Sequence, residues 1–381
     1  MKPAALRLRA PVYGASGYAQ AARHFALALA EKAPYPLCIE PLQWRSGFDV
    51  QEEAATRQKL QALESQQPRR SDELLLHWSI ASEFTGRQGC AQAVGHCIFE
   101  SNSLIQDFVG GCNRMDGVIV PTAFHQQAFA AAGVSVPMGI VPEGVDCERF
   151  TPDGPRLKQV PERFTFLFVA QLGYRKGFDL ALRAFLELFA GQEDVQLLMR
   201  CYLKDGSPAD LEQVAQLIQL FRAQELGGEQ RGHVYLLENV PDLHLPALYR
   251  SAHVLLAPFR GEGWGLPIIE ALASTTPVIA THWGGPTAYL QPGLAQLLPY
   301  TLQPIPPDIP ELFLGGHLLQ ARAEGHLLAE PDVQQLKYAM WAAYENYALY
   351  KLQAVQARQH LAAHFRWEQA AEAFIRWVEQ L

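Results

Sequence analysis

Residues 260–285, RGEGWGLPIIEALASTTPVIATHWGG, restrict the fold of this chain more than any other stretch. Val254 to Ala257 ahead of it reads as a buried strand. Gly263 and Gly265 flank Trp264, and Pro267 follows. That order predicts a tight glycine loop feeding a helix that starts at Pro267, where a missing N–H costs least. Val278 to Thr281 is the next strand. Strand, glycine loop, helix, strand is the layout of a nucleotide site in a parallel α/β sheet. Glu262 falls on the loop and Glu270 in the first helical turn. The free N–H groups and partial positive charge of the helix start let an anion dock between these carboxylates.

The rest of the chain repeats that alternation in two halves. Leu6–Val12, Leu74–Trp78, Val94–Phe99, Gly117–Pro121 and Met138–Pro142 read as strands of the first half. A helix over Tyr18–Glu31 places Tyr18, Ala22, Phe25 and Leu29 on one stripe, and a polar surface helix spans Gln51–Ser65. Glu148–Pro161 is polar and marked by prolines, as an interdomain linker is. Phe164–Ala170 restarts the pattern, with helices at Asp179–Ala190, Ala209–Gln224 and Pro246–Arg250 and strands at Val195–Cys201 and His233–Leu237. Strand–helix repetition predicts an α/β protein with mostly parallel sheets covered on both faces. Residues 299–310 are proline-rich and read as loop. The last helix, Trp367–Gln380, puts Phe374, Trp377 and Val378 on one side.

Length and composition fit this reading. A chain of 381 residues holds two ordinary cores. A net charge of −8 argues against a nucleic-acid partner. Six scattered cysteines without CxxC or zinc spacing read as reduced thiols of a cytoplasmic protein. No apolar run approaches the roughly 18 residues of a membrane span. Peripheral membrane contact stays open, although the N-terminal half has no strong basic surplus. No Asp-x-Asp pair suggests a metal.

The 260–285 stretch resembles the donor site of retaining glycosyltransferases with two Rossmann-like domains (the GT-B type), specifically family four. The family signature of two glutamates separated by seven residues, followed by a Pro-Val-Ile-Ala strand, stands here as Glu262, Glu270 and Pro277–Ala280. Val141-Pro-Glu-Gly-Val-Asp146 and Gln171-Leu-Gly-Tyr-Arg-Lys-Gly177 resemble two further family motifs, and Gly14–Gly17 sits where the family has a glycine-rich first loop. The resemblance implies an acceptor domain over 1–155, joined by the C-terminal helix 366–381, and a donor domain over 156–365, with both sheets facing an interdomain cleft. It implies sugar transfer from a nucleotide-diphosphate sugar, UDP- or GDP-linked, to a glycan, lipid-linked or other hydroxyl acceptor. Configuration is retained and neither metal nor cofactor is used.

Breaking the C1–O bond of a nucleotide sugar builds charge on the leaving diphosphate. Arg175 and Lys176 are two cations on a short loop, suited to clamping that charge. By the resemblance, Glu262 holds donor-sugar hydroxyls and favours positive charge at the ring, and Glu270 accepts from the ribose. The stretch Gly263, Trp264, Gly265 and Leu266, with Gly14, Ser16 and Gly17, completes the donor side. Glu100 and His96 are candidates for the acceptor side. Base and sugar choice would lie with loops around Tyr202, Asn239 and Gly284-Gly285. Four positions depart from the family: Gln171 replaces an arginine, Thr275 lies where a glycine usually follows the donor helix, Ala288 replaces a glutamate, and Glu100 stands where many members have a histidine.

Two other readings compete. A GT-B-fold protein without catalysis would serve as a binding or regulatory subunit. Gly14-Ala-Ser-Gly-Tyr-Ala19 also resembles the loop of NAD-dependent epimerases, and Tyr347 and Lys351 supply a YxxxK pair. Arg7, Arg9 and Pro11 make a poor buried first strand for that fold, however, and a lone glycine loop is weak support.

Overall fold

In a computed structural model the chain is described over residues 3–14, 16–44, 54–66, 71–204, 206–226, 232–237 and 240–381. It divides into two compact units, Met1–Val145 with Ala363–Leu381, and Asp146–Ala362.

The first unit begins β1 (Ala5–Ala10), α1 (Gly17–Lys32), β2 (Leu37–Pro41), α2 (Ala54–Ser65), β3 (Glu73–Trp78) and β4 (Gln92–His96). It continues α3 (Gln106–Cys112), β5 (Gly117–Val120), α4 (Ala123–Ala132) and β6 (Met138–Ile140). Among the described residues the strands form one parallel sheet in the order β2-β1-β3-β4-β5-β6. β2 went unforeseen because Pro36 and Pro41 bracket it and leave only a short apolar run. β1 is interior despite its arginines. Arg7 is bonded to Glu73, which is fully buried on β3, and Arg9 to Glu40 on β2. Neighbouring carboxylates thus neutralise charges that the sequence alone set against a buried strand.

The second unit holds β7 (Phe164–Gln171), α5 (Phe178–Phe189), β8 (Val195–Tyr202), α6 (Pro208–Leu226), β9 (His233–Leu236), α7 (Leu245–Ser251) and β10 (Val254–Ala257). Then come α8 (Leu266–Ala273), β11 (Val278–Thr281), β12 (Gln296–Leu298), β13 (Tyr300–Pro304), α9 (Gly315–Ala323), β14 (Leu327–Pro331), α10 (Val333–Glu345) and α11 (Tyr347–His364). Its main sheet is parallel, in the order β12-β11-β10-β7-β8-β9. Phe166, Phe168, Leu197 and Met199 belong to one buried cluster with Leu182, Phe185 and Phe189 of α5 and Leu336 and Met340 of α10.

Residues 299–310 are not all loop. Tyr300–Pro304 pairs antiparallel with Leu327–Pro331, and the prolines stand at or beyond the ends of the strand, where a missing donor is tolerated. Tyr338, Trp341 and Tyr344 lie on α10 and Tyr347 opens α11, because Asn346 ends α10. Trp341 stacks on Phe189 at 5.9 Å and Tyr347 meets Phe164 at 5.7 Å, whereas Tyr338 is exposed.

The first unit closes at Val145 instead of 155. The expected linker is bonded along its backbone to the second unit: Arg358 donates to the Cys147 and Phe150 carbonyls, Arg250 to those of Thr151 and Pro155. After α11 the chain contributes α12 (Trp367–Val378) to the first unit. There Phe374 meets Phe25 of α1 at 5.7 Å, and the Trp377 ring covers Gly139, where a Cβ would come within 2.6 Å of it. No described helix is long and apolar enough to cross a membrane.

The turn after α8 explains the departure at Thr275. Thr275 takes a left-handed conformation, φ 55°, which disfavours a residue with a Cβ. The Lys351 ammonium holds it, donating to the Thr275 carbonyl at 2.7 Å and to its hydroxyl at 2.8 Å. Lys351 of the YxxxK pair is therefore occupied in a structural bond, and its Tyr347 packs on Phe164 and His253. Charge-assisted bonds of this kind contribute about 1–2 kcal/mol. Lys351→Met is expected to lower the melting temperature by about 2–8 °C. The loss should be smaller in a Thr275→Gly background, where the turn needs no brace. Equal losses in both backgrounds, measured by calorimetry, would refute this account.

Candidate active site

The order of the second sheet creates the site. From β7 the chain builds outward through β8 and β9, then returns to the other side of β7 with β10, β11 and β12. At such a reversal the loops after the two central strands diverge and leave a crevice at the carboxyl edge of the sheet. β7 leads into a short 3-10 turn, Tyr174–Lys176, and β10 leads into the loop carrying Glu262. Residues far apart in sequence meet there because their strands are neighbours.

Two cations converge on one carboxylate. The Lys176 ammonium is bonded to Glu262 Oε2, and Arg175 Nη1 lies 3.8 Å from the same oxygen while donating to the Gly261 carbonyl at 3.2 Å. Burial by itself raises the Glu262 pKa, but Lys176 and Arg175 outweigh it and hold the carboxyl below its usual range. Gln171 plays no part in this cluster. Its amide donates to the Leu203 carbonyl at 2.8 Å, and Arg175 supplies the second charge beside Glu262.

Two glycines make the geometry possible. Gly177, directly after Lys176, has φ 68°, and a Cβ there would lie 2.0 Å from the Pro258 carbonyl oxygen. Gly284 has φ 72°, and its Cβ would lie 2.7 Å from the Glu262 carbonyl oxygen, which accepts the Gly285 N–H at 3.0 Å. The Gly284-Gly285 turn therefore fixes the Glu262 backbone from behind. Ala288 ends the short turn that starts at Gly285.

Beneath this cluster lies Arg260, which sequence reasoning passed over. Its guanidinium is buried, donates to both oxygens of Asp179 at 2.8 and 2.7 Å, and is bonded to both oxygens of Glu330. It also donates to the Tyr174 carbonyl at 2.9 Å and lies 4.1 Å from the centre of the Tyr174 ring. Its own N–H donates to the Arg175 carbonyl at 2.6 Å. Arg260 thus ties α5 and β14 to the turn that carries the two cations.

The helix start differs from expectation in two respects. α8 begins at Leu266, so Glu270 lies in its second turn, buried, and accepts the Tyr249 hydroxyl at 2.8 Å. The Gly263 N–H is directed to Glu262 Oε1 at 3.2 Å, so it serves the carboxylate. Trp264 is buried with its ring edge-on to Tyr289 at 5.2 Å, a packing role, and the Tyr289 hydroxyl bonds the Trp264 and Gly265 carbonyls. Tyr202 ends β8, with burial raising its pKa. Asn239 lies outside the described residues.

The remaining candidates belong to the first unit. Ser16 caps α1, accepting the Ala19 N–H at 3.2 Å, and Gly17 opens the helix. The Gly14 carbonyl accepts from buried Arg23 at 2.5 Å. His96 is fully buried, stacked on Trp78 at 3.5 Å, with Nε2 3.8 Å from Glu143. Burial and, less strongly, His125 lower its pKa to about 3, so the ring is neutral at physiological pH. Glu100 follows a segment held at two carbonyls, Ile98 by the Tyr18 hydroxyl at 3.2 Å and Phe99 by the His125 ring at 3.1 Å. Among the described residues no three His, Cys, Asp or Glu side chains form a metal cluster.

The lowered pKa of Glu262 has a stability consequence. A carboxyl with a depressed folded pKa stabilises the fold above its unfolded value of about 4.3, and that contribution fades as pH falls through the folded value. Glu262→Gln is expected to melt below the wild type at pH 7, with the gap closing on acidification below about pH 4. A gap that stays constant down to about pH 3 would show that the cations do not hold this carboxylate.

Comparison with known proteins supports one family. Residues 163–304 match the model described as glycosyl transferases group 1. The chain is 30% identical over 253 residues to a D-inositol 3-phosphate glycosyltransferase of Corynebacterium jeikeium, covering 64% of this chain and 51% of that protein. It is 30% identical over 187 residues to a GDP-mannose-dependent alpha-(1-6)-phosphatidylinositol monomannoside mannosyltransferase of Mycolicibacterium smegmatis, covering 45% and 46%. The matched stretches thus span about half the length of these curated relatives. HepE of Anabaena, solved with UDP and glucose, shares the fold with a TM-score of 0.66 at 14% identity, over 99% of both chains. Two parallel Rossmann-like sheets and the structural neighbour give a GT-B fold, and the sequence matches support a group 1 glycosyltransferase.

Proposed function

We propose that this protein is a retaining glycosyltransferase acting in the cytoplasm. It moves a hexose from a UDP- or GDP-sugar to the hydroxyl of a glycan, a lipid-linked or another acceptor, and it needs neither metal nor cofactor. The observation that carries the reading is the convergence of Arg175 and Lys176 beside Glu262 at the sheet reversal. Two full charges on one short turn are placed to take up the charge that develops on a leaving diphosphate, the role a divalent cation fills elsewhere. The GDP-mannose in one relative's name and the UDP bound by a structural neighbour support the two donor classes.

In this mechanism the C1–O bond to the diphosphate breaks and its electron pair leaves with the phosphate oxygen. The acceptor oxygen attacks C1 from the same face, and its proton passes to the leaving phosphate. Glu262 binds donor hydroxyls and stabilises positive charge at the ring. It is not the covalent nucleophile of a retaining glycosidase. Glu270 takes the ribose hydroxyls. From the resemblance, Gly14, Ser16 and Gly17 of the first unit are proposed as donor-binding residues and Glu100 as an acceptor-side residue; the His96 ring is buried and is not proposed to touch an acceptor.

The test is donor hydrolysis and transfer measured across UDP-, GDP-, ADP- and dTDP-sugars, with and without EDTA. Activity with a single nucleotide class, unchanged by EDTA, is expected. Glu262→Gln should lower turnover by about 100-fold or more, with nucleotide affinity within about threefold of wild type. Near-wild-type turnover in that variant would remove Glu262 from the mechanism. Nucleotide binding without any turnover would favour a non-catalytic binding subunit, and loss of activity in EDTA would return the charge-neutralising role to a metal.

A further inference from the structure

We propose that the outer face of α11, continued by Tyr338 of α10, is an interface through which two copies of this chain pair about a two-fold axis.

α11 is amphipathic in the reverse of the usual sense. A helix on a protein surface ordinarily turns its charges to water and its large aliphatic residues to the core. Here Ala354, Ala357 and Leu361 are buried, whereas Leu349 and Leu352 are 57% and 63% exposed and Val355 is 38% exposed. The lysine and arginine of the helix are held inward. Lys351 is bonded to Thr275, and Arg358 donates to the Cys147, Phe150 and Ala273 carbonyls. Every exposed position from 348 to 363 is Ala, Leu, Val or Gln. The Tyr350 hydroxyl donates to the Ala339 carbonyl at 3.3 Å, which sets the start of α11 against α10. Tyr338, next to Ala339, is 70% exposed and extends the apolar stripe.

Charge selects the occupant. A surface paired about a two-fold axis meets its own image, so a charged group near the axis faces a like charge. In a chain of net charge −8, a charge-free stripe is where two copies approach without that cost. A helix lying on an anionic bilayer needs free Lys or Arg beside its apolar stripe, and Lys351 and Arg358 are engaged by carbonyls instead.

Leu349, Leu352 and Val355 follow one another at three-residue steps and centre on Leu352. An antiparallel pairing of the two helices puts Leu352 on the axis, against its own image, with Leu349 beside the partner's Val355. Gln356 and Gln359 supply a polar rim. α11 has 18 residues and is therefore roughly 27 Å long. With the flank of α10 the face measures about 500 Å² per partner, less than the ~800 Å² of a standard interface. The dimer is accordingly reversible, with a dissociation constant on the order of 10 µM.

The test is sedimentation equilibrium of the full chain from about 1 to 200 µM. The wild type is expected to pass from monomer to dimer across this range. Leu352→Glu places two carboxylates at the axis and should weaken pairing by about tenfold or more. Its melting temperature at low concentration should match that of the wild type, because the position is exposed and glutamate is a good helix former. Leu352→Cys, oxidised with copper phenanthroline, should give a covalent dimer beyond the wild-type level. Gln359→Cys should not, because its two sulfurs, each seven positions from the axis, stand roughly 20 Å apart. A wild type that stays monomeric at every concentration overturns the proposal. So does a dimer that Leu352→Glu leaves intact, or one that both cysteine variants cross-link equally. Co-sedimentation of the wild type with phosphatidylcholine–phosphatidylglycerol vesicles, lost in Leu352→Glu, would assign the face to a bilayer and overturn the proposal as well.

Discussion

The charged cluster at the sheet reversal of the second unit depends on one buried cation that supports the turn and loop carrying it. Arg260 is buried between Asp179 and Glu330, with the Tyr174 ring and carbonyl against it. An arginine in this setting is stable only because two carboxylates share its charge, and they raise its pKa against the burial that would lower it. Removing one partner from such a group is far costlier than never having had the pair. The arrangement therefore acts as a rivet through α5, β14 and the loop after β10. Arg175, Lys176 and Glu262 sit on its outer side, and their mutual attraction works on a base that is already fixed. Preorganisation of this kind puts charge in place before a reaction demands it, so that little reorganisation remains.

A second layer of order is steric. The Gly177 backbone passes so close to the Pro258 carbonyl that no side chain fits, and Gly284 does the same behind Glu262. These two contacts press together the loops following β7 and β10. Charge attraction then acts over distances that sterics have already set. The Thr275 turn shows the opposite solution to the same problem of a left-handed residue. There a β-branched residue remains, and a lysine from α11 offsets the strain with two hydrogen bonds.

Much of this was legible in the sequence. Strand and helix alternation was enough to foresee two parallel α/β sheets, and the glycines and proline around Trp264 located the loop, the helix and both glutamates. These features are local: a few neighbouring residues decide them. What escaped was non-local. Tyr249 and Glu270 are joined across two helices, Arg260 and Glu330 across 70 residues of chain, and Lys351 and Thr275 across 76. An interior strand carrying two arginines looked wrong until Glu73 and Glu40 stood beside it. One hint was available. A glutamate at position 270, within an apolar helix reading Leu-Pro-Ile-Ile-Glu-Ala-Leu-Ala, requires a buried donor. The sequence cannot say which of its tyrosines supplies it.

The β13–β14 ribbon bears on the behaviour of the protein in concentrated solution. β13 is exposed along its whole length and pairs only with β14 among the described residues, so its outer edge presents unpaired backbone groups. An open edge of this sort is a template for strand addition by another chain, the first step of many aggregates. Pro299 lies just before β13 and Pro304 ends it, so the stretch between them is only four residues long. A foreign strand finds too short a ladder to hold. The prolines that disguised this strand in the sequence are thus its protection against self-association.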